Sequence, residues 1–253
     1  MIEIADISYQ VNDTLTILQD INLTLQTGQV IALIGPNGAG KSTLFGLMAR
    51  IIPLQTGSVR FFGRSVADTD NRLLAQTLAI LTQENHIQGR LRVAELLMFG
   101  RYPYHQGNPS EQDYQKVQEV MAQFELTQFA DRFLSDLSGG QRQRVLIAMV
   151  VCQDTPYLLL DEPLNNLDMY HAGRLMRQLK ALATQGKTIV IVLHDINQAA
   201  QFADTVVMMK SGQVMNVGTP AEVLTAENIR TLYQVDVTVL THQGKPVIVD
   251  VLS

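Results

Sequence analysis

The chain has 253 residues, 46% of them hydrophobic and 17% charged, with a net charge of -5. That length allows one or two domains with a sizeable core, and the acidic balance argues against a general nucleic-acid-binding surface. No run approaches the roughly 18 apolar residues of a membrane span. Met1 to Asp6 lacks the basic and apolar regions of a secretory signal, and these features together favour the cytosol. The single cysteine, Cys152, excludes a disulfide within the chain and reads as a buried, inert thiol in the apolar run Val145 to Cys152.

Ile2, Ile4 and Ile7 with Tyr9 predict a first strand, and Ile21, Leu23 and Leu25 alternate with polar residues as a half-exposed antiparallel strand does. Thr27-Gly28 turns the chain into a buried strand, Val30 to Ile34. A loop holding Gly35, Gly38 and Gly40 follows, and Lys41-Ser42-Thr43 opens an apolar helical pattern that runs to about Ile51. This spacing, set between a strand and a helix, is a phosphate-binding loop. A polyphosphate is surrounded by backbone N–H groups only where no side chain blocks the approach, so glycines stand at the turns. The helix N-terminus adds unpaired donors and a partial positive charge. Lys41 then reaches the β- and γ-phosphate oxygens, and the Ser42 hydroxyl is placed to ligate Mg²⁺.

Val59 to Phe62 reads as another strand, ending at Gly63. From Asp70 to Phe133 the pattern turns helical, with a short buried strand, Leu78 to Thr82, followed by Gln83 and the polar segment Glu84 to Arg90. Val93 to Phe99 and Tyr114 to Phe124 carry helical spacing, separated by a predicted loop from Gly100 to Pro109. Leu137-Ser138-Gly139-Gly140-Gln141 then opens a helix. Ser138 suits an N-cap, and the glycines leave the helix start accessible to an anion; both readings stand at this point.

Tyr157 to Leu160 is a continuous apolar strand ending in Asp161-Glu162. In a parallel sheet those carboxylates lie at the strand ends where ligands bind. Asp161 suits a Mg²⁺ contact and Glu162 a general base, although adjacent acids after a strand also occur as plain surface residues. A helix from Met169 to Gln185 precedes the buried strand Thr188 to Leu193, with His194 at its end. There a histidine can donate to a phosphate oxygen or orient water, or simply end a strand. Thr205 to Met209 with Gln213 to Val217 predicts a hairpin, Thr219-Pro220 starts a short helix, and Val235 to Leu240 with Val247 to Val251 predicts a terminal hairpin.

Five features in this order, the phosphate loop, Gln83, the Leu137 to Gln141 segment, the acid-ended strand and His194, resemble the ATP-binding subunits of ABC transporters along nearly the whole chain. The resemblance implies an α/β fold: a P-loop NTPase core of ABC ATPase type with an antiparallel β subdomain and a helical subdomain. It implies one domain over 1–253, with 1–83 and 157–253 forming the core and β subdomain and about 84–156 the helical part. It also implies roles. Tyr9 stacks on adenine; Gly35, Asn37, Gly38, Gly40, Lys41, Ser42 and Thr43 hold the triphosphate. Gln83 touches Mg²⁺ or water and senses the transmembrane partner, while Asp161 helps hold Mg²⁺. Glu162 is the base and His194 contacts the γ-phosphate. Ser138, Gly140 and Gln141 contact the γ-phosphate bound to the opposite subunit, and Asp168 ends a loop that crosses the dimer interface. Asn165 and Asn166 depart from the small Ser, Thr or Ala residues of many relatives, so the resemblance assigns them no contacts.

The implied partners are a second copy of the chain closing around two ATP molecules, separate permease subunits and, indirectly, a substrate-binding protein. The implied location is the cytoplasmic face of the cell membrane. Gly100 to Tyr104, Asp161 to Met169 and the short C-terminal tail are similar to the importers of ferric siderophores, haem and cobalamin; ferric-siderophore import leads, with haem or cobalamin import and export as alternatives. A soluble ABC ATPase acting on nucleic acid is disfavoured, because no sustained heptads fill the interval from Lys41 to Ser138. A translation-associated ABC protein is disfavoured by the single phosphate loop. Nothing in the sequence clusters metal ligands around His86 and His105, which read as surface residues near the permease-facing region.

Overall fold

The computed structural model describes residues 1–12, 14–83 and 90–251. Its internal contacts gather the chain into two compact units, Met1–Thr69 with Leu179–Ser253, and Asp70–Gln178.

The first unit begins with β1 (Ile2–Asn12) and β2 (Leu15–Leu25), an antiparallel pair in which buried Ile2, Ile4 and Ile7 face Leu25, Leu23 and Ile21. The ladder slips between Ile4 and Ile7, where Asp6 takes a φ of 54°, and again between Ile7 and Tyr9, where Asp20 on β2 takes 47°. Their displaced N–H groups find side-chain acceptors, Asn22 Oδ1 and Ser8 Oγ, each at 3.0 Å, so the irregularity leaves neither donor unpaired. Next come β3 (Val30–Ile34), α1 (Lys41–Met48), β4 (Ser58–Phe61) and β5 (Arg64–Ser65). β4 pairs with the far side of β1, giving an antiparallel sheet in the order β2-β1-β4-β5. The strand predicted to reach Phe62 stops at Phe61. Phe62 and Gly63 take φ values of 51° and 74° and form the two-residue turn between β4 and β5, a left-handed pair that matches hairpin twist.

The second unit holds α2 (Asn71–Thr77), β6 (Leu78–Leu81), α3 (Val93–Gly100), α4 (Tyr102–His105), α5 (Glu111–Gln123), α6 (Gly139–Cys152) and β7 (Tyr157–Asp161), and α7 (Met169–Thr184) carries the chain back to the first. Asp70 caps α2 by accepting from the Arg72 and Leu73 N–H groups. β6 and β7 run parallel, from Leu78 opposite Tyr157 to Leu81 opposite Leu160. α3, α5 and α6 bury their apolar faces together, including Leu97, Val120 and Val145. α3 meets α6 so closely that a Cβ on Gly100 would stand 2.4 Å from the Met149 carbonyl oxygen, so this crossing requires glycine. Within the predicted loop from Gly100 to Pro109 the chain makes the single turn α4, with Pro103 in its first turn. Proline breaks a helix interior but is compatible with a helix start, so a residue read as a breaker here sits at an N-terminus.

The first unit resumes with β8 (Thr188–Val192), α8 (Ile196–Phe202), β9 (Thr205–Lys210), β10 (Gln213–Gly218), α9 (Pro220–Val223), α10 (Ala226–Tyr233), β11 (Val237–His242) and β12 (Lys245–Asp250). β3 lies parallel between β8 and β9, and β10 pairs antiparallel with β9. Every residue of β3 and β8 is buried, which accounts for the apolar runs Val30 to Ile34 and Ile189 to Val192. Both predicted hairpins form. Their turns, Ser211-Gly212 and Gln243-Gly244, have positive φ at both positions. The fold is thus α/β with an added antiparallel sheet and a helical segment.

Candidate nucleotide-binding site

In the first unit the phosphate loop joins the carboxyl end of β3 to α1. Gly35 is in tight contact: an added Cβ would lie 2.2 Å from the Met209 carbonyl oxygen. Gly38 and Gly40 take φ values of 79° and 95°, the left-handed region that favours glycine. Gly40 also occupies the N-cap of α1, which has no side-chain cap, so no capping side chain takes the first N–H donors of that helix. Lys41 is 6% exposed, and its Nζ donates to the carbonyls of Gly35 at 2.7 Å and Pro36 at 3.0 Å. The ammonium therefore folds across its own loop, donating to two of that loop's backbone carbonyls. Asn37 and Ser42 are exposed and Thr43 half-buried.

His194 belongs to the same edge. Leu193 N–H donates to Leu33 O at 3.1 Å, so the phosphate loop and His194 leave the carboxyl ends of two adjacent parallel strands. That is where ligands bind in open α/β sheets. Asp195 fixes the direction of the chain after His194 by capping α8 through the Asn197 and Gln198 N–H groups. Tyr9 lies half-buried in β1 opposite Leu18.

The second unit brings together Gln83, Asp161, Glu162 and Asn165. Asp161 ends β7 at 7% exposure. Glu162 follows with a φ of 50°, a left-handed conformation that turns the chain sharply out of the strand. Its Oε2 accepts two amide hydrogen bonds, from Gln83 Nε2 at 3.0 Å and from Asn165 Nδ2 at 2.7 Å. Parallel pairing of β6 with β7 places Gln83 beside Glu162 although 79 residues separate them.

Ser138 is the N-cap of α6. Gln141 N–H donates to its Oγ at 3.3 Å, while Ser138 N–H donates to Gln141 Oε1 at 3.1 Å, a reciprocal capping box. Of the two readings of this segment, the cap is present. Gly140 lies against the loop after Glu162, where an added Cβ would be 3.3 Å from Asn166 O. Asp168, at the end of that loop, accepts from the His171 N–H at 2.8 Å and faces the His171 ring Nδ1 at 2.9 Å. The His171 backbone N–H and then its ring hold the Asp168 carboxyl below the usual carboxylate range.

Sequence reasoning left Asn165 without a contact and did not single out His171. The available signal was position: an amide three residues after an acid at a strand end, and a histidine three residues after an aspartate at a helix start. His86 lies outside the described residues. His105 is engaged locally, its Nδ1 accepting from the Gly107 N–H at 2.9 Å. Among the described residues no group of three or more His, Cys, Asp or Glu side chains is arranged to hold a metal. The second unit also carries an open groove of about 520 Å³ between α3, α4 and α5, lined by Met98, Phe99, Tyr102, Tyr114, Val117 and Met121. Among the described residues no helix is long and apolar enough to cross a membrane.

A glycine loop with a buried lysine, an acid-ended strand and a capped glycine-rich helix define a phosphate-loop ATPase. The family model for ABC transporters matches residues 18–165. The petrobactin import ATP-binding protein YclP of Bacillus subtilis (strain 168) is 40% identical over 242 residues, 95% of this chain and 96% of that protein. The hemin import ATP-binding protein HmuV of Streptomyces coelicolor (strain ATCC BAA-471 / A3(2) / M145) is 39% identical, over 89% of this chain and 81% of that one. Among solved structures, a dimeric ATP-binding cassette in a post-hydrolysis state bound to ADP and Pi superposes with a TM-score of 0.77 at 26% identity, covering 87% of this chain and 98% of that chain. The chain belongs to the ABC transporter family as an ATP-binding protein, the ATP-hydrolysing kind of subunit coupled to transport.

Proposed function

We propose that this chain hydrolyses MgATP between two copies of itself and thereby powers import of a ferric siderophore through a separate permease, working from the cytoplasmic face of the cell membrane. The observation that carries the substrate class is the 40% identity, over nearly the full length of both chains, to a petrobactin import ATP-binding protein. Haem import is the second reading, favoured by the 39% identity to a hemin import ATP-binding protein. A second copy of the chain as partner is supported by the dimeric cassette, bound to ADP and Pi, that this fold resembles.

In this reading Gly35, Asn37, Gly38, Gly40, Lys41, Ser42 and Thr43 bind the triphosphate, and Tyr9 stacks on the adenine. Lys41 exchanges its loop carbonyls for β- and γ-phosphate oxygens, and His194 donates to the γ-phosphate. Ser42, Asp161 and Gln83 hold Mg²⁺, which when bound offsets the charge of the phosphate oxygens. Glu162 accepts the proton of the attacking water, while Gln83 fixes the carboxylate and responds to the permease. Ser138, Gly140 and Gln141 of one copy meet the γ-phosphate held by the other, and Asp168 stands at the interface. ATP thus favours the closed dimer by binding it preferentially, and hydrolysis releases it. The groove of α3 to α5 presents exposed Phe99, Tyr102 and Tyr114, and its proposed occupant is a cytoplasmic segment of the permease.

Growth on a single iron source tests the proposal. A strain lacking this chain, complemented with the native form, grows under iron limitation on a ferric siderophore, and the Lys41→Ala form does not. Equal growth of the two on every ferric siderophore supplied overturns the siderophore reading. A difference confined to haem transfers the conclusion to the second reading.

A further inference from the structure

Asn165 stands where the family resemblance assigns no contact, yet its side chain makes the shorter of the two amide hydrogen bonds to Glu162 Oε2, 2.7 Å against 3.0 Å from Gln83. We propose that Asn165 is a positioning residue for hydrolysis, fixing the rotamer of the Glu162 carboxylate by donating its amide N–H to Oε2. The proposal rests on the reading of Glu162 as the base.

The local backbone is built for this contact. The left-handed φ of 50° at Glu162 bends the chain back on itself. Asn165 N–H then donates to Glu162 O at 3.3 Å, and Leu167 N–H to Leu164 O at 3.1 Å, forming a compact turn that returns the Asn165 side chain over Glu162. Asn166 is left-handed too, with a φ of 64°. The turn is anchored from outside as well. Gln143 Nε2, on α6, donates to Pro163 O at 3.0 Å, and Asn166 O lies against Gly140 at the start of the same helix.

Chemistry selects the residue type. A carboxylate is acceptor-only and an amide nitrogen donor-only, so the direction of this hydrogen bond is fixed; a hydroxyl can turn to donate or accept. A glutamate at a strand end has three freely rotating bonds, and a base delivers its rate only when its oxygen is held in line with the water. Gln83 alone cannot be the constant restraint in the proposed cycle, since that residue also responds to Mg²⁺ and the permease. Asn165, three residues from Glu162 on the same turn, moves with it. The loop that holds the base also rests on α6 of the same copy, through Pro163 O and Asn166 O.

The test compares Asn165→Ala and Asn165→Asp with the native chain and with Glu162→Gln, each as full-length protein purified with the membrane proteins it assembles with. MgATP affinity and phosphate release at saturating MgATP are measured. Asn165→Ala lowers kcat about tenfold, the worth of one hydrogen bond to a charged group, with nucleotide affinity unchanged. Asn165→Asp keeps the side-chain shape but replaces the donor with a like charge, and lowers kcat further than Asn165→Ala does. A purely steric role gives the opposite order, with the isosteric aspartate closer to native. Asn165 is exposed, so both variants fold. Native kcat in Asn165→Ala with an inactive Glu162→Gln overturns the positioning role alone, as does the opposite order or a loss of nucleotide affinity. Native turnover by Glu162→Gln overturns the base assignment, and this proposal with it.

Discussion

Arg101 offers a sharp test of how the helical frame is held, because its guanidinium joins three elements at once. Its Nε donates to Asp113 Oδ1 on α5 at 3.0 Å, Nη1 donates to the Cys152 carbonyl at the end of α6 at 3.0 Å, and the group lies 4.1 Å over the Tyr104 ring. Both partners of the ion pair are largely withdrawn from water, with side-chain exposures of 11% and 5%. Arg101→Met removes one charge and strands the other. Asp113 retains only the Ser110 N–H at 2.9 Å and the Ser110 hydroxyl at 2.7 Å. Breaking such a pair costs about 3–5 kcal/mol, far more than an exposed pair is worth. For a chain of this size that lowers Tm by roughly 10 °C. Adding Asp113→Asn restores much of the loss, because the amide oxygen still accepts from Ser110 but carries no buried charge.

The same pair sets a pH dependence. Burial raises the Asp113 carboxyl, but the Ser110 and Arg101 interactions together outweigh it and the net shift is downward from 3.8. A depressed folded value means that this stabilisation is fully present above the ordinary value and is lost as pH falls through the region below it. Arg101→Met should therefore show a smaller loss of stability between neutral and strongly acid pH than the native chain does. The assay is thermal and urea unfolding of native, Arg101→Met and double-variant chains across pH. A loss below about 1 kcal/mol, or a double variant no better than the single, would show that the pair behaves as a solvated surface contact rather than a buried one.

Other expectations follow from the same geometry. Gly40→Ala forces a side chain into a φ of 95° with its Cβ 2.6 Å from Leu18 Cδ2, so nucleotide binding measured by titration should be largely lost, whereas native affinity would contradict the loop geometry. Ser138→Ala removes the Oγ cap of α6 and should cost about 1 kcal/mol in unfolding experiments; no change would mean that the capping box contributes nothing. Burial pushes the Cys152 thiol up to about 12, against the opposing charges of Arg101 and Lys116. Iodoacetamide near neutral pH should label it only once the chain unfolds, and rapid labelling of the folded chain would refute its burial.

What the sequence alone reveals depends on the range of each interaction. The strand, glycine loop and helix from Val30 to Met48 were legible because the signals are contiguous: an unbroken apolar run, glycines where φ is positive, and a lysine at the helix start. Both late hairpins were legible for the same reason, through Ser211-Gly212 and Gln243-Gly244. The turn α4 was not, because a proline reads as a breaker until it is known to stand at a helix start. The end of β4 at Phe61 was also hidden, since Phe62 in a left-handed turn runs against its propensity. The pairing of Gln83 with Glu162 is set by strand register across 79 residues, which no local pattern reports. Asn165 lies within reach of local reasoning, but its contact depends on the left-handed φ at Glu162, a conformation unusual for glutamate.

The proposed function requires hydrolysis at Glu162 to drive iron-chelate import. Its most direct measurement is uptake of radiolabelled ferric siderophore by cells whose only copy of this chain is native or Glu162→Gln, with equal amounts of each chain recovered at the membrane. Native cells should show sustained uptake and the variant, which still binds MgATP, only background uptake. Equal uptake by the two would contradict it.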